Sequence, residues 1–172
     1  MSEPRRQIRQ QVQATPGIHF NDLVRTLGLA PGQLQHHLRR LVDDERLTRE
    51  RHYGRTHYYP PSYDSWERGA LALLDRETAR GILVVLLEAG PTRPATLASE
   101  LDVARSTIEH HLSNLEAEDV VEKRRDPGYR VIVVLSRPEE TATLLRTIDP
   151  SLTARLSDRF ERLVDDLLDP DG

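Results

Sequence analysis

The sequence lacks cysteine entirely and has few aromatic residues and a single lysine among its 172 residues. The absence of cysteine excludes disulfides, thiolate metal sites and thiol redox sensing. Aromatic residues make up only 5% of the chain, so a hydrophobic core must be built from Leu, Ile, Val and Ala. No run approaches the roughly 20 apolar residues that cross a bilayer. Residues 1–13 lack the apolar segment of a signal peptide, and we expect a soluble cytoplasmic protein.

Basic and acidic residues are spread unevenly along the chain. Residues 1–62 carry 10 arginines against 6 carboxylates, whereas residues 63–137 carry 10 basic and 13 acidic side chains. Residues 138–172 carry 4 basic and 9 acidic side chains, and the whole chain has a net charge of -4. The positive excess in the first third predicts a polyanionic partner for that part of the chain.

No pattern in the sequence indicates catalysis. It contains no glycine-rich phosphate loop, no cluster of metal ligands and no nucleophile elbow. The histidine pairs His36-His37 and His110-His111 suggest metal binding at first sight. Adjacent helix residues point about 100° apart, however, and such a pair chelates one ion poorly. We therefore expect a protein that is not an enzyme and that has no cofactor and no metal.

The most informative feature is an internal repeat. A shift of 74 residues places His36-His37-Leu38 on His110-His111-Leu112 without a gap. The other matched positions are mostly apolar: Ile8/Ile82, Val12/Leu86, Leu23/Leu97, Leu27/Leu101, Leu34/Ile108, Leu41/Leu115 and Leu47/Val121. The matches fall on core-type positions in register, so the chain holds two copies of one domain of about 60 residues.

Each copy shows the spacing of a helix-turn-helix followed by a hairpin. In the first copy we predict helices over 7–14, over 22–27 with Asn21 as N-cap, and over 31–44, with Gly28 ending the second helix. Two short strands over 46–51 and 56–59, joined at Gly54, form the hairpin. The second copy has predicted helices over 77–89, 96–101 and 104–119 and a hairpin over 120–124 and 129–135.

The predicted fold is therefore mainly α with small β-hairpin wings, an α+β arrangement of two tandem winged helix-turn-helix domains. Domain 1 covers residues 1–62, and a connecting helix lies within residues 63–76. Domain 2 covers residues 77–137, and C-terminal helices follow over residues 138–172.

Several segments resemble a known family, the archaeal winged helix-turn-helix regulators of the ArsR/MarR type. They are Pro16–Phe20, Leu27–Leu29, Gln35–Leu41, Gly54–Pro60 and, in the second copy, Thr107–Leu115. The resemblance implies sequence-specific DNA binding, usually by a dimer, with the third helix in the major groove and the wing on the backbone. The cysteine ligands of metal-sensing members are absent, which argues against arsenic-type sensing.

The polar face of the helix over 31–44 supplies the first set of candidate DNA contacts. Gln pairs well with adenine, and Arg with guanine or phosphate. The candidates on this face are Gln33, Gln35, His36, Arg39 and Arg40. The wing over 47–59 adds candidates for phosphate or minor-groove contact: Arg49, Arg51, Arg55 and His57. The alternative is a solvated helix face and an edge hairpin kept soluble by its charges.

The second copy gives a weaker signal. Its candidate contacts are Ser106, Thr107, His110 and Asn114 on the helix and Lys123, Arg124, Arg125 and Arg130 on the wing. Glu109 lies at the edge of the same helix face, Glu116, Glu118 and Asp119 follow it, and carboxylates repel phosphate. DNA contact by this copy and a role as dimerisation or ligand platform both remain open.

The last residues of the chain predict a dimer helix. Leu152, Leu156, Phe160, Leu163 and Leu167 recur at intervals of three and four residues, close to a heptad stripe. The alternative is that this helix packs back onto the second copy within one chain.

We therefore expect a transcriptional regulator that binds double-stranded DNA, with no membrane partner and an unidentified effector. The alternative is a non-enzymatic tandem winged-helix scaffold that binds protein partners in chromosome segregation or the transcription machinery. A basic, glutamine-bearing helix face favours the regulator, because a protein-binding helix is expected to present apolar residues.

Overall fold

The computed structural model describes residues 1–152, and the chain divides into two compact units, Met1–Asp75 and Arg76–Gly172. The first unit contains four helices and three strands: α1 (Glu3–Ala14), β1 (Ile18–His19), α2 (Phe20–Leu27), α3 (Pro31–Asp43), β2 (Thr48–His52), β3 (Arg55–Tyr59) and α4 (Ser65–Leu74). Gly28 ends α2 in the left-handed conformation with φ 63°, as its position in the sequence predicts.

Aliphatic side chains at helical spacing form the core of the first unit. Ile8 and Val12 of α1, Leu23 of α2 and Leu34 of α3 are all 0% exposed. Leu38 and Leu41 continue the buried stripe of α3, so this helix turns its polar face outward. The predicted amphipathic pattern of the helix-turn-helix is therefore confirmed.

The wing of the first unit is a three-stranded antiparallel sheet with the order β1-β3-β2. The predicted hairpin pairs Thr48 with Tyr59 and His52 with Arg55. The sequence does not predict β1, whose two residues pair with Tyr58 and His57. A strand of two residues is too short to show an alternating pattern, and the helix that follows begins at Phe20, earlier than the predicted Asn21 cap.

Helix α4 belongs to the first unit, whereas the sequence placed it in a connecting segment. Asp64 caps its start in a capping box with Glu67. The hydroxyl of Tyr59 donates a hydrogen bond to the carbonyl of Arg68 at 2.8 Å. A Cβ on Gly17 would lie 3.2 Å from the Cβ of Leu71, so the chain passes closely over α4 there. The first unit thus extends to Asp75 and includes the segment predicted as a linker.

The second unit repeats the plan of the first. Its elements are α5 (Glu77–Ala89), α6 (Pro94–Leu101), α7 (Arg105–Ala117), β4 (Val121–Arg125), β5 (Val131–Leu135) and α8 (Pro138–Ile148). Ile82, Leu97, Ile108 and Leu112 are 0% exposed, which puts the matched positions of both copies inside a core. The fold class, mainly α with small hairpin wings, is confirmed.

The segment after the second wing packs within the second unit. Helix α8 contacts α5 and buries Ala142, Leu144 and Leu145. Leu152 is 8% exposed, whereas the other members of the predicted dimer stripe, Leu156, Phe160, Leu163 and Leu167, lie outside the described residues. Within residues 1–152 no helix combines the length and the apolar character needed to span a membrane.

Candidate nucleic-acid interface

A cleft of about 1120 Å³ lies between the outward face of α3 and the wing of the first unit. Helix α3 contributes Gly32, Gln35 and Arg39 to its wall. The wing contributes Arg49, Arg51 and Arg55, of which Arg49 and Arg51 share one face of β2 because side chains alternate along a strand. The two elements that the sequence predicts as DNA-reading parts therefore line one cleft.

Arginines outnumber carboxylates around this cleft. Five arginines and three carboxylates line it: Arg25, Arg39, Arg49, Arg51, Arg55, Asp22, Glu50 and Asp75. All three carboxylates already pair with cations, Asp22 with Arg25, Glu50 with Arg68 and Asp75 with Arg55. Within the part of the chain that the structure describes, Arg39, Arg49 and Arg51 form no ion pair. The cleft therefore keeps a local positive charge for an anionic ligand.

Nearly all of the candidate contacts predicted in the first unit lie at the surface. Those exposed are Gln33, Gln35, His36, Arg39, Arg40, Arg49, Arg51 and Arg55. His36 and His37 meet edge to face with ring centroids 5.4 Å apart. The helix face that the sequence predicts as polar and accessible is thus accessible in the structure.

His57 is the exception, and its predicted contact with phosphate is wrong. Its side chain is 2% exposed, and its Nδ1 lies 2.6 Å from the carbonyl oxygen of Gly17. A carbonyl only accepts hydrogen bonds, so Nδ1 donates. Burial lowers the pKa of His57, and the bond to Gly17 opposes this shift only in part. A neutral, buried imidazole stabilises the sheet and does not face DNA.

A histidine and two aspartates meet beside the cleft. The Nε2 atom of His19 lies 2.8 Å from Asp22 and 3.8 Å from Asp75. The three side chains have the donor atoms of a cation site. Arg25 and Arg55 already neutralise both carboxylates, and burial lowers the pKa of His19. Sequence reasoning missed this network because its members come from three separate elements.

On the matching surface of the second unit, most of the basic side chains form ion pairs with carboxylates. Lys123 lies 2.7 Å from Glu109, and Arg105 lies 3.3 Å from the same carboxylate. The pKa of Glu109 is lowered, first by its hydrogen bond with Lys123. Arg124 pairs with Glu122, and Arg130 pairs with Asp126 at 3.1 Å. These carboxylates compete with phosphate for the basic side chains of this wing.

The helix candidates of the second unit are mixed in exposure. Ser106 and His110 are exposed, whereas Thr107 and Asn114 are half-buried. The wing candidates Lys123, Arg124, Arg125 and Arg130 are exposed. The second unit thus presents an accessible wing beside a helix face that carries no arginine after Arg105.

Two family models match the chain. The model described as an N-terminal HTH domain covers residues 2–71, and the model described as "Bacterial regulatory protein, arsR family" covers residues 76–123. A curated relative is an uncharacterized HTH-type transcriptional regulator of Methanocaldococcus jannaschii. It is 27% identical over 137 residues, which are 79% of this chain and 34% of the relative. The chain thus spans about a third of that relative's length.

The chain also has limited similarity to solved structures of regulators. The transcriptional regulator Tm0710 from Thermotoga maritima is 25% identical, with 60% of this chain and 81% of that chain covered and a TM-score of 0.39. A MarR family protein of Mycobacterium tuberculosis, in complex with p-aminosalicylic acid, is 18% identical over 78% of this chain and 97% of its own, with a TM-score of 0.34.

The two family models divide the chain where the fold divides it. Each matched range contains one helix-turn-helix, formed by α2 and α3 in the first and by α6 and α7 in the second. The chain therefore contains two helix-turn-helix domains in tandem, and the second is similar to the arsR family of regulatory proteins.

Proposed function

We propose that the chain regulates transcription by binding double-stranded DNA through its first unit, with α3 in the major groove and the β2–β3 wing on the backbone. The observation that carries this proposal is the cleft between α3 and the wing, where Arg39, Arg49 and Arg51 point their charge toward a groove without a carboxylate partner among the described residues. Gln35 on the same wall adds a donor and an acceptor for a base edge.

The second unit contributes less charge to this function. Its matched helix presents Ser113 and Asn114 where α3 presents Arg39 and Arg40. Three of its four wing cations, Lys123, Arg124 and Arg130, are paired with Glu109, Glu122 and Asp126. We assign it an auxiliary contact with DNA, and reading of bases to the first unit.

A protein-binding scaffold is the second candidate, and the surface argues against it. Among residues 1–152, the large hydrophobic side chains with marked exposure are Met1, Tyr53 and Tyr129. Protein interfaces have a buried core enriched in apolar and aromatic side chains. The outward faces of α3 and α7 carry no exposed large hydrophobic side chain, so these surfaces suit DNA better than a protein partner.

The proposal is tested by fluorescence anisotropy with duplex DNA. We expect the full chain to bind a duplex selected from a randomised pool more tightly than a scrambled duplex of equal length. Because phosphate contacts release counterions, affinity is expected to fall linearly with salt on a double logarithmic plot, with a slope of about -0.9 per contact. Equal and weak binding to both duplexes would contradict the proposal.

We further propose that the regulator acts as a homodimer held by the stripe that begins at Leu152. Leu152 is already buried within its own chain, and full burial of each of the other four side chains of the stripe would contribute about 1.5–3 kcal/mol toward the entropic cost of association. A dimer also places two recognition helices about 34 Å apart, which suits a palindrome. Light scattering checks this: deletion of residues 149–172 is expected to yield monomers. A dimer that survives the deletion, or a monomeric full chain at micromolar concentration, would refute it.

A further inference from the structure

Four matched positions give the grooves of the two units different charges. In the first unit these positions belong to α3 and β2 and all line the cleft: Pro31, Gln35, Val42 and Arg49. A shift of 74 residues puts four charged side chains at the same positions of the second unit: Arg105, Glu109, Glu116 and Lys123. The place that holds one cation in the first unit therefore holds two cations and two carboxylates in the second.

The four charged side chains of the second unit form one cluster of ion pairs. The two carboxylate oxygens of Glu109 meet different cations, the Nζ atom of Lys123 at 2.7 Å and the Nε atom of Arg105 at 3.3 Å. The same Nζ atom lies 3.9 Å from a carboxylate oxygen of Glu116. Because Lys123 belongs to β4 and Glu109 belongs to α7, the cluster ties the wing of the second unit to its helix.

The cluster occupies the cation that stands where the first unit offers one to DNA. Arg49, the counterpart of Lys123, forms no ion pair within residues 1–152 and lines the open cleft. The side chains of Lys123 and Glu109 are 32% and 38% exposed, so a phosphate group can approach both. To bind Lys123, however, the phosphate has to displace the carboxylate of Glu109.

The displaced carboxylate opposes the binding of phosphate a second time. The pKa of Glu109 is lowered, first by its hydrogen bond with Lys123, so this side chain stays negatively charged around neutral pH. Once displaced, it lies beside the phosphate without its nearest cation. Like charges that face each other across an interface suppress binding of that partner.

We infer that Glu109 is a specificity-determining residue of the second unit, which excludes DNA phosphate from its groove by holding Lys123 in an ion pair. This inference rests on the proposed DNA-binding function and identifies one position that weakens the contribution of the second unit. The first unit carries Gln35 at that position. Glutamine and glutamate have nearly the same size and shape, so the two units differ there in charge and not in volume.

The test uses a full chain whose first unit is weakened by Arg39→Ser and Arg40→Asn, so that the second unit accounts for a larger share of the binding. In this background, Glu109→Gln is expected to raise the affinity for the duplex that the wild type selects roughly tenfold, as one charge-assisted hydrogen bond does. The salt dependence is expected to steepen by about one, because one more phosphate contact releases one more counterion.

Glu122→Gln is the matched control in the same background. It removes the same charge from the same wing, where Glu122 pairs with Arg124. Side chains alternate along a strand, so Glu122 and Lys123 lie on opposite faces of β4. We expect Glu122→Gln to change the affinity far less than Glu109→Gln. Because exposed ion pairs stabilise proteins little, both variants are expected to keep the midpoint of thermal unfolding.

The reciprocal change places the carboxylate in the first unit. Gln35→Glu in the wild type is expected to pair with Arg49, and thus to lower both the affinity and the salt dependence. Gln35→Ala is its control, since it removes the same amide and adds no charge. We expect Gln35→Ala to leave the salt dependence as in the wild type.

The ion pair itself can be measured in the absence of DNA. Lys123 is the only lysine of the chain, so reductive methylation with isotope-labelled formaldehyde gives one side-chain signal in the NMR spectrum besides that of the amino terminus. Glu109→Gln is expected to shift this signal, and Glu122→Gln is expected to shift it far less. An unchanged signal in Glu109→Gln would show that the pair is not formed and would overturn the inference.

The binding data separate the inference from the function on which it rests. If the wild type binds its duplex and Glu109→Gln brings no gain, the inference is wrong and the proposed function stands. A lower midpoint of unfolding in that variant would then assign the cluster a structural role. An equal gain from Glu122→Gln reduces the effect to net charge and also overturns the inference. If the wild type selects no duplex, the proposed function fails and the inference fails with it, even where the lysine signal shows the ion pair.

Discussion

Replacing Arg39 by Ser and Arg40 by Asn is expected to lower the affinity of the chain for its selected duplex by a factor of about 100 or more. A good contact to a base contributes about 1–3 kcal/mol, and each 1.4 kcal/mol is a factor of ten in affinity. The double change gives α3 the two residues that α7 carries at the matched positions, Ser113 and Asn114. It thus tests whether these arginines make the difference between the two copies.

The matched control is the double change Ser113→Ala and Asn114→Ala in the second unit. We expect a loss of less than tenfold, because Glu109 and Glu116 already offset the positive charge of Lys123 beside that helix. Anisotropy gives both affinities, and circular dichroism verifies that the helices remain formed, since Ser and Asn are weaker helix formers than Arg. If the changes in α7 prove more damaging, the second unit is the main reader of DNA.

The fold could be predicted from the sequence because the helices of both units are amphipathic and repeat at a fixed distance. Leu34, Leu38 and Leu41 recur at intervals that one helix face dictates, and the same pattern returns at Ile108, Leu112 and Leu115. Agreement between two independent copies removes most of the ambiguity of a single short pattern. Gly28 and Gly54 mark the turn and the wing tip through their positive φ angles.

The features that the sequence did not predict depend on tertiary contacts. The sequence suggested that His57 reaches DNA because it stands among the basic residues of the wing. In the structure β3 lies between two other strands, and Tyr59 on the same face as His57 hydrogen-bonds to α4. The sequence identified α4 as a helix, but no local pattern shows that it packs on the first wing.

The candidate interface was predictable in composition and not in geometry. The polar face of α3 and the arginines of the wing follow from helix and strand periodicity. The partner of each acidic side chain cannot be predicted in this way, because Asp75 pairs with Arg55, which lies 20 residues away in the sequence. The pairing matters, since it determines which arginines remain available to DNA.

Truncation of Leu34 to Ala is expected to destabilise the first unit by about 2–5 kcal/mol, because it opens a cavity beneath the recognition helix. Leu34 is 0% exposed and packs with Ile8, Val12 and Leu23. For a domain of this size the midpoint of thermal unfolding is expected to fall by at least about 8 °C. The outward side chains of α3 are untouched, so any loss of DNA binding follows from loss of the helix position.

Ile108→Ala is the equivalent change in the second unit, at the matched position of α7, where the side chain is also 0% exposed. Hydrogen exchange is expected to show weakened protection of α3 in the Leu34 variant and of α7 in the Ile108 variant. At a temperature between the midpoints of the Leu34 variant and the wild type, we expect DNA binding to be lost in the Leu34 variant. We expect the Ile108 variant to keep most of its binding at that temperature, because the first unit carries the unpaired arginines. Loss of binding in the Ile108 variant alone would show that the second unit holds the principal DNA contact.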